Sequence, residues 1–154
     1  NALLSETGID RVVRAPAEKN HRPELAGHHV LLAEDNELNR EIAVELLQMM
    51  GVTVDWAANG RIAVDKFLAE GDSYDLILMD VQMPVMDGYQ ATAAIRKSTH
   101  KKAKTIPIIA MTADAFHEDI VKAEAAGMNG HLSKPIDPEL LYEKAAEYIR
   151  ADHT

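Results

Sequence analysis

Residues 29–40 read HVLLAEDNELNR: a short apolar run, Val30-Leu31-Leu32-Ala33, that stops at two adjacent carboxylates, Glu34 and Asp35, and then at Asn36. An uninterrupted apolar run of this length fits a strand buried on both faces. Acids placed side by side at its end repel unless something positive lies between them. Asn36 is of a residue type that caps helix N-termini, so the stretch predicts a strand, an acidic turn and the start of a helix.

Outward from this stretch the same alternation recurs. Apolar runs stand at 29–34, 52–58 (VTVDWAA), 74–81 (YDLILMDV), 106–113 (IPIIAMTA) and, shorter, 130–134 (GHLSK). Helical patterns lie between them. Asn36 and Gly51 bracket the first, with Leu38, Ile42, Leu46 and Met49 expected on its buried face. Asn59 and Gly71 bracket the second, with Ile62, Ala63 and Phe67 inward, and a third runs from about Gly88 to Ser98. The fourth, from about Asp114 to Ala126, has a thin apolar stripe and ends at Gly127. Asp137 and Pro138 form a cap and first-turn pair for the last, with Leu140, Leu141, Ala145 and Ile149 facing in. Five strand–helix units whose strands are apolar on both faces predict an α/β fold with a parallel sheet covered by helices on both sides.

Residues 1–27 have a different texture, with scattered apolar positions, many charges, Pro16 and Pro23. They are expected to be a flexible linker ahead of one domain at 28–151, with a tail at 152–154. The chain opens on Asn1 rather than methionine, as expected for a piece of a longer or processed protein. It has no cysteine, which removes disulfides and thiolate metal sites and fits a reducing compartment, so a cytoplasmic location is expected. No apolar stretch approaches the roughly 20 residues of a membrane helix, so no membrane contact is expected of this segment, although a parent chain could be anchored elsewhere. A net charge of −9 argues against nucleic-acid binding. The basic stretch RKSTHKKAK at 96–104 reads as a solvated loop after a helix rather than a docking patch.

In a doubly wound sheet, sites form outside the carboxyl ends of the strands. At that edge the first strand carries Glu34 and Asp35, the third Asp80, the fourth Thr112, and the fifth Lys134 followed by Pro135; the second offers nothing comparable. Converging carboxylates cannot all stay ionised unaided, and a divalent cation resolves the conflict. The ligands are all oxygen, which indicates a hard ion that keeps several waters, Mg²⁺ above all. Open magnesium sites hold phosphate oxygens, and the Lys134 ammonium and Thr112 hydroxyl suit a phosphoryl group. Asp80 is then available as an attacking carboxylate. Singly, these residues have ordinary explanations as turn acids, a solvated lysine and a β-branched strand residue. Pro84 and Gly88 are likewise ordinary loop residues, and Met79, Met83 and Met86 read as packing. It is the coincidence at one edge that carries the chemical reading.

Four motifs in order, AEDN at 33–36, MDVQMPVMDG at 79–88, MTA at 111–113 and SKP at 133–135, carry a resemblance. From about His29 to Arg150 the chain resembles the receiver domain of the two-component response-regulator family. LAEDNELNREIAVELL with MDVQMPVMDG is most similar to receivers fused to hybrid sensor histidine kinases. The resemblance implies a flavodoxin-like (βα)5 fold with strand order 2-1-3-4-5. It implies that Asp80 takes a phosphoryl group from the phosphohistidine of a histidine kinase or a histidine phosphotransfer domain. Asp35 would bind Mg²⁺ directly, Glu34 through water or by contact with a ligand of the ion, and the backbone carbonyl of Gln82 would complete the protein ligands. Lys134 would pair with the phosphoryl oxygens, and Thr112 would turn inward to them. The family usually has Tyr or Phe three residues before this lysine; here that switch position is His131. A phosphatase of the haloacid dehalogenase type would want an aspartate at Gln82, and a module that never accepts phosphate would not need all five site residues intact.

Overall fold

The computed structural model describes residues 25–113 and 117–152, apart from the side chains of 117 and 150–152. Its strands are β1 (His29–Ala33), β2 (Thr53–Ala57), β3 (Leu76–Asp80), β4 (Ile108–Thr112) and β5 (Gly130–Ser133). Between and after them come α1 (Glu37–Met49), α2 (Gly60–Glu70), a 3₁₀ turn (Gly71–Ser73), α3 (Gly88–Lys97), α4 (His117–Ala126) and α5 (Pro138–Asp152). Every strand pair is parallel and the order is β2-β1-β3-β4-β5, the order the resemblance implies.

The helix starts follow the caps. The Asn36 side chain accepts from the Asn39 amide at 2.9 Å, and Asn59 accepts from the Ile62 amide at 2.9 Å. Asp87 and Gln90 close a reciprocal capping box ahead of α3, and the Asp137 carboxylate accepts from the Glu139 amide at 2.9 Å. Alternation along the strands then sorts the core. Leu32, Leu78 and Met111 point to the side covered by α1 and α5, whereas Leu31, Ile77 and Ala110 point to the side covered by α2, α3 and α4. All five residues of β3 are buried, and each large aliphatic side chain there contributes roughly 1.5–3 kcal/mol of transfer free energy.

Three packing expectations are corrected. The face that α1 buries is Ala43 and Leu47, continued by Met50 at its C-cap, while Leu38, Ile42 and Met49 are 66%, 45% and 48% exposed. The helix is therefore rolled by about 100°, one residue, from the expected orientation. The small Ala43 lets the helix lie close on the sheet, and Leu46 stays half-buried at its margin. Ile62 of α2 and Leu140 of α5 also face outward, because Ala63, Val64 and Phe67 in one helix and Leu141, Tyr142 and Ala145 in the other meet the sheet. In α4 the buried side chain among those described is Ala123, so the stripe is thin as expected.

Packing begins earlier than residue 28. Leu25 is completely buried in the core beside α1 and α5, and the Gly27 amide donates to the Gly51 carbonyl at 3.0 Å. The rest of the expected linker, residues 1–24, the expected start of the fourth helix at 114–116, and residues 153–154 lie outside the described residues.

The basic stretch runs from the end of α3 into a loop, with Lys97, Lys101 and Lys104 exposed, as expected, but Arg96, Lys102 and Lys104 also clasp the backbone. The Arg96 guanidinium donates to the Gly127 carbonyl at 3.0 and 2.8 Å, to the Ala103 carbonyl at 3.0 Å and to Asn129 Oδ1 at 2.9 Å. Lys104 donates to the Arg96 carbonyl at 3.2 Å, and Lys102 to the Tyr74 carbonyl. Among the described residues no helix is long and apolar enough to cross a membrane.

Candidate functional site

Strands β1 and β3 are neighbours at the centre of the sheet, and the helices that follow them leave to opposite faces, which opens a crevice at their carboxyl ends. The register pairs Ala33 with Met79, so Glu34 and Asp35 emerge beside Asp80. One carboxylate oxygen from each of the three lies within 4.8 Å of the others. Glu34 and Asp80 are 2% and 3% exposed, whereas Asp35 is open to solvent.

Lys134 reaches in from the end of β5, where its amide donates to the Thr112 carbonyl at 2.8 Å. Its Nζ lies 2.9 Å from Glu34 Oε1 and 3.0 Å from Asp80 Oδ2. The second oxygen of Asp80 accepts from the Gln82 amide at 3.2 Å, and the second oxygen of Glu34 from the Asn36 amide at 3.1 Å. Burial pushes the Asp80 carboxyl up to about 6; the bond to Lys134 opposes this, and the neighbouring Glu34 charge adds to it. Burial works against the Lys134 ammonium as well, but its bonds to Glu34 and Asp80 outweigh that and hold it above the usual lysine range.

Thr112 is buried at the end of β4, one residue beyond Met111, the register partner of Asp80. His131 lies away from the acids. On β5 it pairs with Ala110 of β4, and it sits half-buried in a groove with Ala123 and Glu124 of α4 and Lys144 and Tyr148 of α5. The structure therefore gathers Glu34, Asp35, Asp80, Thr112 and Lys134 at one edge, with Gln82 bonded to Asp80 through its backbone.

Two glycines let the loop after β3 close over this edge. A Cβ on Gly88 would lie 2.3 Å from the Asp80 carbonyl oxygen, and one on Gly60 would lie 2.3 Å from that of Met86. Gly88 is thus a close-approach residue, more than loop punctuation. Sequence reasoning also missed Arg40, which donates to the Glu34 carbonyl at 3.1 Å and stacks on Trp56 with its guanidinium carbon 4.0 Å from the ring centroid. Its signal was its place one turn past the Asn36 cap, on the helix face that returns toward the acidic turn.

The donor set tests well against a divalent ion. Three convergent carboxylates face a single ammonium, two of them are almost fully buried, and every candidate ligand atom is oxygen, as a hard cation such as Mg²⁺ requires. Two depressions flank the mouth. One of about 160 Å³ is lined by Ile42, Ala43, Met111, Pro135 and Ile136 beside Glu34 and Lys134. The other is more open and runs past Asp35, Gln82, Met83, Pro84 and Tyr89.

Known proteins are similar to this chain in sequence and in fold. The chain is 41% identical over 117 residues to hybrid signal transduction histidine kinase I of Dictyostelium discoideum, a match covering 74% of this chain and 7% of that protein. It is 38% identical over 152 residues to probable histidine kinase 2 of Oryza sativa subsp. indica, covering 91% of this chain and 14% of that protein. The chain therefore spans a small part of these curated relatives. Among solved structures, the receiver domain of a sensor histidine kinase from Pseudomonas aeruginosa, which has a magnesium ion coordinated in its active-site cleft, superposes with a TM-score of 0.73 at 39% identity, covering 81% of this chain and 99% of that one. The receiver domain of a Saccharomyces cerevisiae response regulator, solved with a histidine phosphotransfer protein, superposes with a TM-score of 0.76 at 29% identity, covering 84% and 94%. The family model of the response regulator receiver domain matches residues 30–146. With the parallel sheet, its strand order and the acidic mouth already in place, that match assigns the chain to the response regulator receiver domain family.

Proposed function

We propose that this receiver domain takes a phosphoryl group onto Asp80 from the phosphohistidine of a histidine kinase or a histidine phosphotransfer domain, as part of a hybrid sensor histidine kinase. The observation that carries the reading is the Lys134 ammonium, 3.0 Å from Asp80 and 2.9 Å from Glu34 in a buried mouth with three carboxylates. An Asp80 oxygen attacks phosphorus as the bond from phosphorus to imidazole nitrogen breaks, and the neutral imidazole leaves once it holds its proton. The product is an acyl phosphate. The transition state of such a transfer is loose, so alignment and neutralisation of charge supply most of what is needed.

Lys134 meets the charge on the phosphoryl oxygens, and the Gln82 amide fixes the rotation of the Asp80 carboxylate. Mg²⁺, held by Asp35, Asp80 and the Gln82 carbonyl with Glu34 acting through water, would supply the remaining positive charge. The double engagement of Glu34, by Lys134 and by the Asn36 amide, supports its indirect role, and the exposure of Asp35 supports a direct one. Thr112, at the adjacent strand end, turns toward the new phosphoryl group, and His131 repacks in its groove beside α4 in response. The partner docks over the mouth, where the exposed Leu38 and Ile42 of α1 continue into the apolar depression beside Lys134. The proposed compartment is the cytoplasm, and neither nucleic acid nor membrane is a proposed partner of this segment.

Incubation with a small acyl phosphate, with and without Mg²⁺, tests the reading by intact mass. Gain of one phosphoryl group in the presence of Mg²⁺, absent from Asp80→Asn, is the expected result. Uptake by Asp80→Asn at the wild-type rate would move the acceptor elsewhere.

A further inference from the structure

We propose that Arg40 is a positioning residue for the acidic turn: it holds the peptide between Glu34 and Asp35 through the Glu34 carbonyl, while Trp56 on the edge strand fixes its guanidinium. The proposal deepens the phosphoacceptor reading and rests on it for its functional meaning.

Arg40 lies in the first turns of α1, where its amide donates to the Asn36 carbonyl at 2.9 Å, and its side chain doubles back so that Nη1 reaches the Glu34 carbonyl at 3.1 Å. The Glu34 amide donates to the Ala57 carbonyl of β2 at 3.0 Å. With its carboxylate bonded to Lys134 and to the Asn36 amide, Glu34 has every polar group engaged. Its carbonyl shares a peptide plane with the Asp35 amide, so whatever fixes that plane anchors the Asp35 Cα and leaves only its own φ and side-chain torsions to aim the carboxylate. Asp35 is solvent-exposed, and its aim therefore starts from that backbone anchor.

Trp56 supplies the other end of the device. It is the chain's single tryptophan, 48% exposed on β2, with the Arg40 guanidinium carbon 4.0 Å from its ring centroid. A long arginine side chain is costly to order, and a flat ring face lowers that cost by holding the planar fork in one orientation. The residue beyond Trp56 is Ala57, whose carbonyl receives the Glu34 amide. One short piece of edge strand thus grips the acidic turn twice, directly and through Arg40.

Charge and position make opposite predictions here. A guanidinium beside a cation site repels the cation, so loss of its charge alone would tighten Mg²⁺ binding. Loss of a hydrogen bond that orients a ligand weakens it, by about tenfold where such partners have been removed from metal sites.

The test uses the full chain, with Mg²⁺ affinity measured by titration calorimetry and phosphoryl uptake from a small acyl phosphate followed across Mg²⁺ concentrations. Arg40→Met and Arg40→Lys should each raise the Mg²⁺ Kd by about tenfold. Trp56→Ala should weaken it in the same direction, and Trp56→Phe should restore it. At saturating Mg²⁺ the maximal uptake rate of these variants should return to within about twofold of wild type, since the bond acts on the affinity and not on Asp80. Tighter binding in Arg40→Met would show that Arg40 acts only as a charge, and wild-type affinity in both Arg40→Lys and Trp56→Ala would overturn the proposal. So would a lowered melting temperature with unchanged Mg²⁺ affinity. If the wild type binds Mg²⁺ but accepts no phosphoryl group, the phosphoacceptor reading fails, and the calorimetry still decides the role of Arg40.

Discussion

At the scale of single residues, Asp80 sets the terms. Its carboxyl is raised to about 6 from an ordinary value of 3.8, so the folded chain binds that proton more tightly than the unfolded chain does. The stability of the metal-free protein should then fall as pH rises from about 4 to about 6, and stay low above that range. Asp80→Asn removes the charge without leaving a cavity. In chelator at pH 7 it should stabilise the fold by something on the order of 2 kcal/mol, with the gain gone near pH 4; denaturant unfolding at the two pH values checks the sign. Glu34, Asp35, Asp80, Thr112 and Lys134 are legible in the sequence because each ends an apolar run, and strand ends converge in a parallel sheet whatever the details of packing. Arg40 was not, because its role depends on a side chain folding back against its own helix and on a ring from a strand that looked empty of chemistry.

At the scale of elements, α1 shows where pattern reading stops. Helix existence, caps and ends follow from Asn36 and Gly51, but the helix carries two apolar stripes one residue apart, and either could have faced the sheet. The stripe with Ala43 wins because a small residue permits close approach to β1. Leu38→Ala and Ile42→Ala should therefore change stability by less than about 0.5 kcal/mol, whereas Leu47→Ala should cost about 2–5 kcal/mol in denaturant unfolding. If the exposed stripe is where the donor docks, Ile42→Glu should slow transfer from a histidine phosphotransfer protein while leaving uptake from a small acyl phosphate unchanged. Equal slowing of both reactions would instead point to a disturbed site. The third strand posed no such ambiguity, since a strand buried on both faces has no wrong side to present.

At the scale of the whole molecule, the site concentrates negative charge that the remainder of the fold must tolerate. Mg²⁺ at about one hundred times its Kd should add roughly 2.7 kcal/mol to stability, read as a rise in Tm of several degrees that shrinks in Asp35→Asn. The Arg96 clasp has a mechanical consequence. It fastens the carbonyl that follows α4 to the end of α3 and to the loop before β4, while the other end of α4 continues from the strand that carries Thr112. With only a thin buried stripe beneath it, α4 would act as a lever hinged at Gly127 if the proposed turn of Thr112 toward the phosphoryl group drives its other end. On phosphorylation, amide hydrogen exchange should change most near His117 and fade toward Ala126, and Arg96→Ala should spread the change along the whole helix. A binding partner that reads α4 would then be reading an angle, and a substitution at Arg96, 31 residues from the Gly127 pivot in sequence, would retune the signal without touching the chemistry that produces it.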